Sequence, residues 1–395
     1  MTSTVNQYIP NIPEEFQDIC PYDDTCFHER LSHMVKDPGF EHAIRYIMPS
    51  VDFDAFVSKI LKVKDQAEFQ RIIMGNFLEM LVAKTTDGLT SGGCENIDRA
   101  RSYTYLSNHR DIVLDASFLN LCLIHENIPL AQVAIGNNLL IYDWITDLVK
   151  LNRSFIVKRD VKKLQALESA RQLSGYIHYT ITRRHESVWI AQRQGRAKDS
   201  NDLTQESLVK MLALGGSSDA RDSLMELNIS PLSISYEFDP NDYLKVSEYL
   251  LKRRDPDFKK SQHDDLLSME TGLLGQKGRV HFQLGKCINE ELAKIEASAR
   301  PVVVRQACAI IDRTIHRGYE IFPCNYIAYD RIKHTNRFAD RYTDDDQSNF
   351  DEYIKLQLSK VRIDDISAEE HEFMLNMMYT MYSNPLINKI AALSE

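Results

Sequence analysis

A chain of 395 residues, 43% apolar and 26% charged, has room for two or three packing units and the balance of a soluble globular protein. Its 15 Gly and 12 Pro are too few for a collagen-like or low-complexity chain. The 47 Lys and Arg against 57 Asp and Glu leave a net charge of -10, which excludes a protein that coats nucleic acid over its whole surface.

The opening MTSTVNQYIP has neither the basic residue nor the apolar run of a secretory signal. Seven cysteines, odd in number and scattered, point to a reduced, cytoplasmic chain without disulfides. Cys20, Cys26 and His28 do not have zinc-knuckle spacing, so no metal is expected. Membrane spans need about 20 apolar residues in a row. The nearest candidates, 138–151 and 116–124, are too short.

In chain order, residues 1–95 read as a helical region, with apolar positions three and four apart over 56–63 and 69–83. The turn-rich stretch TTDGLTSGG, residues 85–93, reads as a boundary. From 96 to 287 strand and helix patterns alternate. Strands are expected at 103–106, 131–136, 154–157, 187–192, 229–238 and 279–284, with helices at 112–124, 139–151, 161–182 and from about 204. That alternation predicts an α/β domain, a mostly parallel sheet covered by helices on both faces. Residues 288–395 read as a helical C-terminal region, broken by the acidic run Asp344-Asp345-Asp346. Met374, Met377, Met378 and Met381 form a helical stripe that reads as core. Tyr142 and Trp144 read as packing against the sheet.

Residues 150–198 hold 12 Lys and Arg against 3 Asp and Glu, a net +9, so the remainder carries -19. Such a local concentration suggests an anionic ligand such as phosphate. Arg159, Arg193, Arg196 and Lys198 stand at the ends of predicted strands, the edge where open parallel sheets bind ligands. For Arg193 and Lys198 a solvated surface accounts for the charge equally well.

One constellation carries chemistry. His109, in SNHRDIVLD, lies where the first strand of the domain gives way to a helix, with Asp111 and Asp115 two and six residues on. A carboxylate that holds one imidazole nitrogen leaves the other to act as a general base. Either aspartate could orient His109, and Asp111 could instead cap the helix.

Three further blocks follow in order: RSFIVKR (153–159), WIAQRQGRAKD (189–199) and ISPLSISYE (229–237). With the His-containing block they resemble the glycerophospholipid acyltransferases, which include glycerol-3-phosphate and 1-acylglycerol-3-phosphate acyltransferases. The resemblance covers about residues 100 to 290, and RVHFQLGK (279–286) resembles the late strand of the same domain. It implies transfer of a fatty acyl group from an acyl carrier protein or coenzyme A thioester to the hydroxyl of a glycerophosphate-type acceptor. His109 is then the base and Asp115 the preferred orienter, because Leu114-Asp115 matches the end of the family's block. Arg159 and Arg196 hold the acceptor's phosphate, with Gln194, Gly195 and Arg193 beside them. Pro231 and Tyr236 match a block near the acyl-binding part, although strand packing explains both as well. No serine or cysteine nucleophile is needed, and no Gly-x-Ser-x-Gly elbow occurs.

Two departures from the family pattern stand out. Five residues, not four, separate His109 from Asp115, and Gln194 replaces a glutamate that would ionise. An O-acyltransferase for a lyso-aminolipid, or a catalytically impaired lipid- or anion-binding protein on the same scaffold, is the alternative. A lipid acceptor, with no segment long enough to span a bilayer, leads to the expectation of a peripheral protein on the inner face of the cytoplasmic membrane; no cofactor and, from the acidic net charge, no nucleic-acid partner are expected.

Overall fold

The computed structural model describes residues 12–159, 161–296 and 299–394; the opening segment read for a signal, residues 1–11, lies outside them. Among the described residues seven strands form one sheet: β1 (Leu89–Gly92), β2 (Thr104–Ser107), β3 (Ala131–Gly136), β4 (Ser154–Val157), β5 (Ser187–Ala191), β6 (Ile229–Tyr236) and β7 (Val280–Leu284). Their order is β1-β7-β6-β2-β5-β3-β4. Strands β2 to β6 are parallel, whereas β7 runs antiparallel to β6 and pairs in parallel with β1. The predicted α/β architecture with helical extensions is the one observed.

Side-chain alternation divides the core. Leu106, Val188 and Ile190 face the helices Lys163–Thr182, Glu206–Leu212, Ala220–Glu226 and Arg300–Gly318. Tyr105, Trp189 and Ile234 face the helices Gly75–Thr85 and Leu114–His125. Both faces are therefore apolar, as a sheet buried on two sides requires. Each large apolar side chain sealed there, such as Leu106 or Phe118, contributes about 1.5–3 kcal/mol of transfer free energy.

Proline in the central strand β6 has a local explanation. Pro231 lies one residue before the ladder with β7 begins at Leu232. Its carbonyl accepts from Gly285 N–H at 2.8 Å. The donor it lacks is replaced by Ser230, whose hydroxyl donates to the Gly285 carbonyl at 2.8 Å.

Four readings from sequence change. The stretch taken as a boundary contributes the edge strand β1, because its Thr and Ser residues pair with β7 in spite of the flanking glycines. The acidic run is not a break but the first turn of the helix Asp344–Ser359, which begins in a capping box between Thr343 and Asp346. Trp144 packs edge-on against Phe40, 6.0 Å between ring centroids, among the N-terminal helices and not against the sheet. Tyr142 is 54% exposed. The methionine stripe is core: Met374, Met378 and Met381 are buried among the C-terminal helices, with Met377 packed beside them. Among the described residues no helix is long and apolar enough to cross a membrane.

Candidate active site

Strand β2 ends at Ser107, where the order of strands switches: the chain next builds β3 beyond β5 on one side and later β6 on the other. In open parallel sheets the crevice at such a point collects ligands. Asn108 is locked to β6 there, donating to the Ile234 carbonyl at 2.9 Å and accepting from its N–H at 2.8 Å. His109 follows immediately.

The two aspartates do different work. Asp111 Oδ1 accepts from Val113 N–H and Leu114 N–H, both at 2.8 Å, and so caps the helix Leu114–His125. Asp115, in the first turn of that helix, directs Oδ2 at three donors: His109 Nδ1 at 2.8 Å, Arg110 N–H at 2.7 Å and Asp111 N–H at 3.1 Å. The His109 side chain is 13% exposed and that of Asp115 1%. With Nδ1 engaged, Nε2 is the nitrogen left to react. Trp189 stands edge-on to the imidazole at 5.9 Å between centroids and is itself held by an indole N–H donated to Ser107 Oγ at 3.0 Å.

Burial dominates the electrostatics behind the dyad. It pushes the Asp111 carboxyl up, the Asp115 charge adds to this, and the cap bonds and Arg196 temper it. The Tyr236 hydroxyl is held well above its ordinary pKa by burial and by Asp115 and Asp111. Among the described residues buried Asp111 Oδ2 meets no hydrogen-bond partner, and the Tyr236 hydroxyl sits against the Asp115 carboxylate.

His109 lines a cleft of ≈ 380 Å³ over the ends of β3, β4 and β5. Its wall is apolar, with Ile135, Leu139, Val157, Leu173, Leu208 and Met211, and its rim carries Lys158, Arg159, Arg193 and Gln194. Arg159 crosses the end of β3 at Gly136, where a Cβ would come within 2.5 Å of Arg159 Nε. Its backbone N–H donates to Asn137 Oδ1 at 2.8 Å. Gln194 N–H is held by Gln205 Oε1 at 2.7 Å.

At Gly195 the chain turns through φ +72°, a conformation suited to glycine, and the residues beyond leave the cleft. Arg196 is not among the cleft-lining side chains; its Nη1 is buried with no hydrogen-bond partner among the described residues, and its charge acts on Asp111 and Asp239. Lys198 pairs with Glu248 on the helix Asp242–Arg254. Burial and the neighbouring ammoniums of Lys252 and Lys260 hold Lys198 down, at about 7. Arg159 and Arg196, grouped by sequence, thus stand on different sides of one loop. Pro231 and Tyr236 lie within β6 and do not line the cleft.

Sequence reasoning missed the residues that fix this loop. Arg110, the neighbour of His109, makes a buried ion pair with Asp202 at 2.7 Å, and Asp202 also accepts from the Tyr319 hydroxyl at 2.8 Å. Trp189 was read only as part of its block. Glu248, Lys252 and Lys260 lie in no motif; the cationic run KRR at 252–254 is a signal that includes Lys252 alone. Among the described residues no group of three or more His, Cys, Asp or Glu is arranged to hold a metal ion.

No family model and no curated protein matches the chain. Among solved structures it is similar to the 1-acyl-sn-glycerophosphate (LPA) acyltransferase PlsC from Thermotoga maritima, with 11% sequence identity, a TM-score of 0.35, and coverage of 73% of this chain and 95% of that one. A likeness this distant decides nothing about chemistry, which rests on the side chains.

Proposed function

We propose that this chain is an O-acyltransferase that moves a fatty acyl group from an acyl carrier protein or coenzyme A thioester to the hydroxyl of a glycerophosphate-type acceptor. The observation that carries this reading is the His109–Asp115 pair opening into a cleft that is apolar along its wall and cationic at its rim. A hydroxyl attacks a thioester poorly unless its proton leaves as the bond forms. His109 Nε2 takes that proton, and Asp115 stabilises the imidazolium that develops. The acyl chain lies along Ile135, Val157, Leu173 and Met211. Arg159 and Arg193 at the rim hold an anionic group of a substrate, and the planar guanidinium fork suits phosphate oxygens. The thiol of the donor leaves with the proton.

Acceptor or product embedded in a bilayer makes the protein peripheral, on the inner face of the membrane, through the basic segment 150–198. The test is direct. Purified chain is incubated with acyl carrier protein and coenzyme A thioesters against glycerol-3-phosphate, lysophosphatidate and a lyso-aminolipid, and products are read by mass spectrometry. Ester formed only with the lyso-aminolipid would move the acceptor class. No ester with any pair would leave a binding protein on this scaffold.

A further inference from the structure

Outside the cleft, cationic side chains crowd one carboxylate. Glu248 is buried, and its Oε1 meets the ammonium of Lys198 and, at 2.8 Å, that of Lys252; Lys260 Nζ stands 3.5 Å from Oε2. Lys260 also reaches Ser268 Oγ at 3.5 Å and is drawn by Asp264 and Asp265 of the next helix. Arg196 presses its charge on both Lys198 and Lys260, and its Nη1 is a buried donor with no acceptor among the described residues. Three chain segments supply these groups: the loop after β5, the helix Asp242–Arg254 and the connection beyond it. The lysine side chains are 24–47% exposed, so solvent reaches them.

At contact distance Glu248 meets three ammoniums, which one carboxylate does not offset, and Arg196 adds its charge from farther away. Like charges held this close repel, and a buried guanidinium nitrogen without an acceptor costs free energy. Both deficits are met by one ligand that brings two negative charges and several acceptor oxygens. We propose that Arg196, Lys198, Lys252 and Lys260 form a second anion site that takes a phosphate monoester dianion, with Glu248 as the resident counter-ion that the phosphate displaces in part. The site goes beyond the cleft, and rests on the acyl-transfer reading only in naming the substrate that brings the phosphate: the acceptor, or the 3′-phosphate of coenzyme A.

Calorimetric titration of the full chain with inorganic phosphate, at ionic strength matched with chloride, tests the site without turnover. Saturable binding is expected in the wild type and in Arg159→Ala. Lys252→Ala and Lys260→Ala each weaken it by about tenfold, the worth of one charged hydrogen bond, and Glu248→Gln tightens it. Absence of saturable phosphate binding, or unchanged affinity in both lysine variants, overturns the site. Weaker binding by Glu248→Gln overturns the counter-ion role, because it means the glutamate only holds the lysines in place. In the acyl-transfer assay, a raised KM for a phosphorylated acceptor in Lys252→Ala assigns the phosphate to the acceptor, and a raised KM for coenzyme A thioester assigns it to the donor. Phosphate binding with no turnover leaves the site standing and removes the acyltransferase reading instead.

Discussion

Asp115→Asn isolates the charge of the dyad from its geometry. In the native site a single oxygen, Asp115 Oδ2, accepts from His109 Nδ1, Arg110 N–H and Asp111 N–H. Two of those donors are fixed backbone, so an asparagine turns its carbonyl oxygen to the same place and keeps the imidazole in the same tautomer. Its amide then takes the position of Oδ1, on the carboxyl group that sits against the Tyr236 hydroxyl. What is lost is the negative charge beneath the developing imidazolium. Charge centres about 4 Å apart at an effective dielectric of about 20 interact by roughly 4 kcal/mol, so kcat falls by on the order of 10² to 10³. His109→Ala removes the base and costs on the order of 10² to 10⁴. Asp111→Asn keeps a capping side chain and changes kcat by about threefold or less. Steady-state kinetics on the three variants, with circular dichroism to check folding, make the comparison. An unchanged kcat in well-folded Asp115→Asn, or a larger loss at Asp111 than at Asp115, would refute the assignment of roles.

Three other outcomes are expected. Gly136→Ala displaces Arg159, whose Nε would stand 2.5 Å from the new methyl; KM for the rim-bound anionic substrate rises by about tenfold with kcat little changed, measured by initial rates. Asp242 is buried beside Asp239, and burial pushes its carboxyl up to about 7 although the Tyr353 and Tyr382 hydroxyls donate to it. A raised carboxylate pKa means that the folded state holds a proton the unfolded chain gives up, so stability is lost as pH rises from about 4 to 7. Asp242→Asn should therefore raise the melting temperature above pH 7, with the gain shrinking as pH falls and vanishing below about 4. Sedimentation with vesicles tests the membrane partner: binding rises with anionic lipid and falls with salt, because exposed charges are screened over about 8–10 Å. Binding that survives high salt would point to insertion of apolar side chains in place of electrostatic adsorption.

Much of the architecture is written locally. Strand alternation and helix periodicity depend on residues a few positions apart, so β2 to β7 were legible to within a residue or two at most ends. The pairing of His109 with Asp115 was legible for the same reason: six residues across a helix start bring the first-turn carboxylate back to the imidazole. Its division of labour with Asp111 was open in sequence, since both lie within reach. The backbone settles the geometry, because Asp111 spends Oδ1 on the helix cap.

The charged groups beyond the dyad behave differently. Sequence counts a net +9 over residues 150–198, yet cannot say which of those charges share a surface. A left-handed turn at Gly195 sends Arg193 and Gln194 to the cleft and Arg196 and Lys198 away from it. Glu248, Lys252 and Lys260 come from the segment between β6 and β7 and meet Lys198 only because the sheet brings those elements together. Sequence by itself determined the alternating elements and the His109–Asp115 spacing, through forces that act within a turn or two of helix. Tertiary structure alone decided which cations face which anion, because that depends on strand order and on the sign of one backbone dihedral.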